Sequence, residues 1–253
     1  MNIAIITGAS SGLGREFARQ IDRLSHTLDE VWLIARRRDR LEELASTLNV
    51  DTRIIAMDIT NDLSMQQLHE ILIAEKPIVR MLLNCAGFGL LGNFTENSLE
   101  EQLAMIELNC TALTKMTYQA IPYMKENSRI IQIASSAAFL PQPKFAIYAA
   151  SKAYVLSFSE ALGEELLDRK IYVTAVCPGP IKTEFFDIAE KYEISRTIKR
   201  LAMAEAPNVV RAALKASAKK RSISVYSTTI KLLHVMSKVV PTKAALVLLR
   251  VLR

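Results

Sequence analysis

Short apolar runs at Ile3 to Ile6, Val31 to Ala35, Thr52 to Met57, Arg80 to Asn84, Arg129 to Ala134 and Ile171 to Val176 punctuate the chain. They show little alternation of apolar and polar positions, as expected of strands covered on both faces. Segments with helical spacing lie between them: Leu13 to Leu24, Arg38 to Leu48, Ser64 to Ala74, Leu99 to Lys125 and Tyr148 to Asp168. Repeated strand–helix–strand units predict a doubly wound, three-layer α/β/α domain with a mostly parallel sheet.

The chain has 253 residues, half of them apolar and 23% charged, which fits one large domain and excludes a disordered chain. Its three cysteines, Cys85, Cys110 and Cys177, are odd in number and far apart. They predict neither a disulfide framework nor a metal site, and a reducing compartment fits them. Met1 to Ile6 runs into Thr7-Gly8 with no basic segment before it, so no secretory signal is expected. No apolar stretch is long enough to cross a bilayer, and a cytoplasmic location is expected. The net charge of +6 is unevenly placed. Of 32 Lys and Arg residues, ten fall between Ala206 and Arg253, where no Asp or Glu occurs, leaving 22 against 26 acidic residues elsewhere.

The first strand ends in Thr7-Gly8-Ala9-Ser10-Ser11-Gly12-Leu13-Gly14, directly before a helix. Glycines at such a turn let the backbone approach a pyrophosphate, whose charge sits at the helix N-terminus. The second strand ends in Ala35-Arg36-Arg37-Arg38, where an NAD site would carry a carboxylate for the ribose 2′-hydroxyl. Arginine here favours the 2′-phosphate of NADP(H), with Arg36 the chief contact and Ser10 and Arg37 as helpers.

Tyr148 and Lys152 are four apart on a predicted helix and share one face. Ser135 stands thirteen residues earlier, at a strand end. A tyrosine with a reference pKa of about 10 is a poor acid–base group at neutral pH. An ammonium about 4 Å from the phenolic oxygen contributes about 4 kcal/mol at an effective dielectric near 20. That is enough to make the pair a proton donor and acceptor for a carbonyl and its alcohol.

With these residues in place the chain resembles the short-chain dehydrogenase/reductase family, in its standard-length branch. Gly8, Gly12 and Gly14 match its T-G-x-x-x-G-x-G. Asn84-Cys85-Ala86-Gly87 resembles its N-N-A-G, and Asp58-Ile59 its adenine-contacting pair. Asn109, Ser135, Tyr148 and Lys152 match its catalytic tetrad, and Pro178-Gly179-Pro180-Ile181-Lys182-Thr183 its nicotinamide-binding P-G-x-x-x-T. The resemblance implies a Rossmann-type fold with seven strands in the order 3-2-1-4-5-6-7, the seventh near Ile223 to Tyr226. It implies reversible NADP(H)-linked hydride transfer to a small-molecule carbonyl or from a secondary alcohol. It assigns cofactor contacts to Gly8, Ser10, Ser11, Gly12, Leu13, Gly14, Arg36, Arg37, Asp58 and Ile59. Further contacts fall on Asn84, Ala86, Gly87, Tyr148, Lys152, Pro178, Gly179, Ile181 and Thr183. Asn109 is given a water in the proton relay. A homodimer or homotetramer built on the two long helices is implied, as is a substrate lid at about 184–205. The alternative of a different class is a non-catalytic NADP-sensing or scaffold protein of the same fold.

Within the lid, Phe185, Phe186, Ile188 and Tyr192 fit an apolar pocket or the packing face of a lid helix equally well. The nucleotide-binding and catalytic domain is expected at 1–228, with a basic amphipathic helical extension at 229–253. On a helix from about Thr229 to Val240, Leu232, Leu233, Met236, Val239 and Val240 cluster on one side, opposite Lys231, His234 and Lys238. Packing of the apolar side on the domain or a neighbouring subunit is favoured over peripheral contact with an anionic membrane. Nucleic acid is not expected, since no binding motif accompanies the basic residues.

Overall fold

The computed structural model describes residues 1–24, 27–182 and 203–251. Seven strands form one sheet: β1 (Asn2–Thr7), β2 (Glu30–Ala35), β3 (Asp51–Ala56), β4 (Ile78–Asn84), β5 (Arg129–Ile133), β6 (Tyr172–Val176) and β7 (Ile223–Ser224). Their order is β3-β2-β1-β4-β5-β6-β7, with every pairing parallel. Order and seventh strand are as the sequence predicts, and the Rossmann-type α/β fold is established.

The continuous apolar runs have a direct use here. Ile3 and Ile5 of β1, with Trp32 of β2 and Leu82 of β4, enter one core layer against Leu68, Leu72 and Met116. Their neighbours Ala4, Ile6, Leu33 and Leu83 enter the opposite layer against Phe17, Ile21 and Val210. Successive residues of one strand point to opposite faces, so a sheet buried on both sides needs apolar residues at both parities.

The helices are α1 (Gly12–Leu24), α2 (Arg38–Ala45), α3 (Asp62–Glu75), α4 (Leu99–Ile106), α5 (Leu113–Ala120), α6 (Ala146–Glu165), α7 (Ala206–Ala218), α8 (Thr228–Val239) and α9 (Thr242–Val251). The stretch expected as one helix from Leu99 to Lys125 is broken. A π-helical turn, Glu107–Ala112, separates α4 from α5, and a 3-10 turn with Pro122 closes the segment at Tyr123. Among the described residues, no helix is long and apolar enough to cross a membrane.

α8 also departs from expectation. It is held to the domain by Ile230, which is buried, and by His234, whose ring stacks on Phe139 with centroids 4.5 Å apart. Of the residues expected to pack on the domain or a neighbouring subunit, Leu233 and Val240 are half-buried and Leu232, Met236 and Val239 are exposed on this chain. The helix is apolar on two sides, and the side that fits the domain surface is the one carrying the histidine.

Candidate active site

The sheet order reverses between β1 and β4, which places a crevice at the carboxyl ends of the strands. A cleft of about 1130 Å³ occupies that position. Gly8, Ser10, Ser11, Gly12 and Leu13 form one wall, where β1 turns into α1. Gly8 has φ +67°, and a Cβ there would meet the Ala86 nitrogen at 2.8 Å. Only glycine lets this turn lie so close to β4. The cradle fits a dinucleotide pyrophosphate, with the α1 N-terminus opening onto it.

Arg36, Arg37, Asp58 and Ile59 line the far end of the cleft. The Arg37 guanidinium donates to the Ser10 hydroxyl at 3.3 Å. The Arg36 guanidinium stands 3.9 Å from the Asp58 carboxylate, with its side chain 78% exposed. Asp58 is oriented by Thr60, whose N–H and hydroxyl both donate to its Oδ1, at 2.9 and 2.7 Å. The Arg37–Ser10 pair and the exposed Arg36 guanidinium, both at the end of β2, suit an anionic group there.

Ala86, Gly87, Pro178, Gly179 and Ile181 line the inner end, beside Ser135, Tyr148 and Lys152. Helix α6 buries Tyr148, Ser151, Lys152, Val155, Ser159 and Leu162, a spacing that turns one face to the sheet and sets Tyr148 and Lys152 at its upper edge. Ser135 caps the short 3-10 turn Ser136–Phe139 by accepting the Ala137 N–H at 3.1 Å. Its hydroxyl also hydrogen-bonds the Tyr148 phenol. Lys152 Nζ donates to the Ile133 carbonyl at 2.8 Å and lies 5.7 Å from the Tyr148 ring centroid.

The electrostatics differ from the sequence argument. Burial pushes the Tyr148 phenol up to about 12, and the Ser135 hydrogen bond offsets only part of this. Burial also pushes the Lys152 ammonium down to about 8. The expected pull of the ammonium on the phenol is therefore outweighed, because desolvation acts against the charged form of both groups.

A family profile described as short chain dehydrogenase matches residues 2–193. The chain belongs to the short-chain dehydrogenase/reductase family. It is 27% identical over 234 residues to an uncharacterized oxidoreductase of Staphylococcus epidermidis, covering 90% of this chain and 96% of that protein. A short-chain dehydrogenase from Sphingobium yanoikuyae in complex with NADPH has a TM-score of 0.77 at 29% identity, covering 89% of this chain and 87% of that one. A member from Burkholderia phymatum in complex with NAD has a TM-score of 0.80 at 24% identity, covering 94% of each, a likeness of fold. This short-chain dehydrogenase is thus an oxidoreductase served by a nicotinamide dinucleotide.

Three of the sequence-assigned residues of this short-chain dehydrogenase do not line the cleft. Gly14 lies behind the glycine turn, where a Cβ would come within 2.4 Å of the Gly8 carbonyl oxygen. Its part is helix-to-strand packing. Asn84 is buried beneath the floor, donating to the Thr117 hydroxyl and the Gln132 side-chain carbonyl at 3.0 and 2.9 Å. Asn109 sits in the π-helical turn, accepting the Phe88 N–H at 3.1 Å and donating to the Phe88 carbonyl at 2.9 Å and the Ser151 hydroxyl at 3.1 Å. Ser151 donates in turn to the Tyr148 carbonyl at 2.8 Å, so Asn109 ties the Gly87–Phe88 strand end to α6. Thr183, Phe185, Phe186, Ile188 and Tyr192 lie outside the described residues.

The sequence reading missed the apolar lining of the cleft beside Tyr148. Phe88, Leu91, Ala104, Leu108, Phe145 and Met203 line it, together with Glu101 and Gln142. Phe145 stacks on the Tyr148 ring with centroids 4.2 Å apart. An aromatic residue just before α6 was the one available signal. Cys85 also lines the cleft, half-buried, and burial holds its thiol far above the ordinary range, so it stays protonated.

Proposed function

We propose that the protein is an NADP(H)-dependent carbonyl reductase that also runs as the alcohol dehydrogenase, acting on a substrate with a bulky apolar body. The observation that carries this reading is the Ser135–Tyr148 hydrogen bond in a cleft whose glycine turn leads to it from the Arg36–Arg37 corner. Gly8, Gly12 and the α1 N-terminus would hold the pyrophosphate, Arg36 and Arg37 the 2′-phosphate, and Pro178, Gly179 and Ile181 the nicotinamide end. Bound there, NADP(H) supplies or accepts the hydride.

The phenol, held protonated by burial, donates its proton to the carbonyl oxygen as negative charge develops on it. Ser135 hydrogen-bonds the same oxygen. Lys152 contributes positive charge beneath the pair and a donor for the nicotinamide ribose. Asn109, fixed to Phe88 and Ser151, holds the far end of the relay that returns a proton through water. A carboxylate or polar substrate body fits poorly against Phe88, Leu91, Leu108 and Phe145, whereas an apolar ketone gains roughly 25 cal/mol for each Å² it buries. The long helices expose Leu99, Leu103, Ile106, Tyr118 and Tyr154, and we infer that a second copy covers them in a dimer.

Tyr148→Phe tests the assignment. It is expected to lower kcat by orders of magnitude in NADPH oxidation with a panel of apolar ketones, diketones and steroids, while NADPH binding stays near wild type. Wild-type turnover in that variant would show that Tyr148 is not the acid. A wild type that binds NADPH and reduces none of the panel would favour the sensor or scaffold alternative.

A further inference from the structure

α8 is apolar on two opposite sides. Its inner side is occupied: Ile230 packs on Gly179, close enough that a Cβ there would meet the isoleucine at 3.0 Å, and His234 stacks on Phe139. Its outer side carries Leu232, Val235, Met236 and Val239, which are 62, 59, 48 and 76% exposed. At 3.6 residues per turn these four fall within an arc of about 100°. Exposed Lys231 and Lys238 border one edge of the arc, beside Val235, and exposed Lys243 follows at the start of α9.

The charge around this face decides what it suits. From Ala206 to the end of the sequence there are ten Lys and Arg residues and no Asp or Glu. A second copy meeting this face across a two-fold axis would set Lys231, Lys238 and Lys243 of one protomer against those of its partner, with no carboxylate of the segment to separate them. A surface that is apolar beneath and anionic above satisfies both features at once.

We propose that the outer face of α8 lies on an anionic membrane surface. Leu232, Val235, Met236 and Val239 enter the acyl boundary, and Lys231, Lys238 and Lys243 meet lipid phosphates. The helix is about 18 Å long, against the roughly 30 Å of a hydrocarbon core, so it lies along the surface and does not cross. Because its inner side rests on Gly179 and Phe139, membrane binding tethers the rim of the active site to the lipid.

Flotation of the full chain with vesicles of 70:30 phosphatidylcholine:phosphatidylglycerol, and with pure phosphatidylcholine, tests this. The wild type is expected to float with the anionic vesicles only, and to be released by high salt. Lys231→Glu with Lys238→Glu should weaken partitioning about thirtyfold or more, from about fivefold for each positive charge removed. Val235→Asp with Val239→Asp should abolish it, while thermal unfolding and NADPH binding of both variants stay at wild-type values. Absence of wild-type binding, or binding that both variants retain, would overturn the proposal. So would a fall in oligomer mass for the Val235→Asp, Val239→Asp variant without vesicle binding, since that outcome assigns the face to a second copy.

Discussion

Replacing Lys152 by Met should make the protein more stable at neutral pH while removing the cation proposed to serve the reaction. The ammonium is buried, and burial lowers its pKa from 10.5 to about 8. That depression corresponds to a penalty of about 3 kcal/mol on the folded state whenever the amine is charged in both states. The variant removes this penalty and keeps a side chain of similar volume, but orphans the Ile133 carbonyl that accepts from Nζ at 2.8 Å. Leaving that buried carbonyl unpaired costs about 1–3 kcal/mol. A net gain of about 0.5–2 kcal/mol is expected at pH 7.

The pH dependence separates the two effects. The unfolded lysine binds its proton up to about 10.5 and the folded one only to about 8, so the unfolded state holds more protons between these values. Wild-type stability attributable to this group therefore rises with pH across that window, and the penalty is fully present below pH 8. The hydrogen-bond loss is independent of pH. Urea unfolding of wild type and variant without cofactor, at intervals from pH 6.5 to 10.5, should show the advantage of the variant shrinking above pH 8 and reversing near the upper end. A variant less stable at pH 7, by an amount unchanged up to pH 10.5, would refute the claim that Lys152 is held against its hydration.

Arg36→Asp should weaken NADPH binding roughly ten- to a hundredfold and improve NADH binding, read by fluorescence titration of each cofactor. Equal wild-type affinity for the two would contradict the role given to the arginines. Gly14→Ala places a methyl about 2.4 Å from the Gly8 carbonyl oxygen, and should cost about 1–3 kcal/mol in urea unfolding as well as NADPH affinity. Light scattering at micromolar concentration should give a dimer or tetramer, and Leu103→Asp on the exposed stripe of α4 should lower the mass; a wild-type monomer would refute the inferred dimer.

The strands were legible because a sheet covered on both faces demands apolar residues at consecutive positions, as Ile3 to Ile6 and Val31 to Ile34 supply. The glycine turn, the arginine pair and the Ser135, Tyr148 and Lys152 group could be read because their spacing is tied to strand and helix ends. The π-helical turn could not. It inserts an extra residue into one turn, and its local sequence, Glu107 to Ala112, contains no glycine or proline to mark it. The apolar lining was hidden for another reason: Phe88, Leu91, Ala104, Leu108 and Phe145 are ordinary apolar residues until the fold brings them into one cleft with Tyr148. In α8 the periodicity was visible but its polarity misled. Both sides are apolar, and ring stacking on Phe139 selected the one with His234.

The buried setting that raises the Tyr148 phenol and lowers the Lys152 ammonium explains why so few side chains form the reacting end of the cleft. A low local dielectric strengthens each fixed donor aimed at a developing oxyanion, since Coulomb energies rise as the effective dielectric falls. In the proposed reaction, the stability lost by burying Lys152 is thus the same physical effect that makes one phenol and one hydroxyl effective. Such donors act only if they do not move to solvate themselves. Asn109 serves that requirement: three hydrogen bonds fix it between the Phe88 backbone and Ser151, and Ser151 is bonded to the Tyr148 carbonyl. A side chain outside the cleft thereby fixes the helix turn that carries Tyr148, the proposed proton donor.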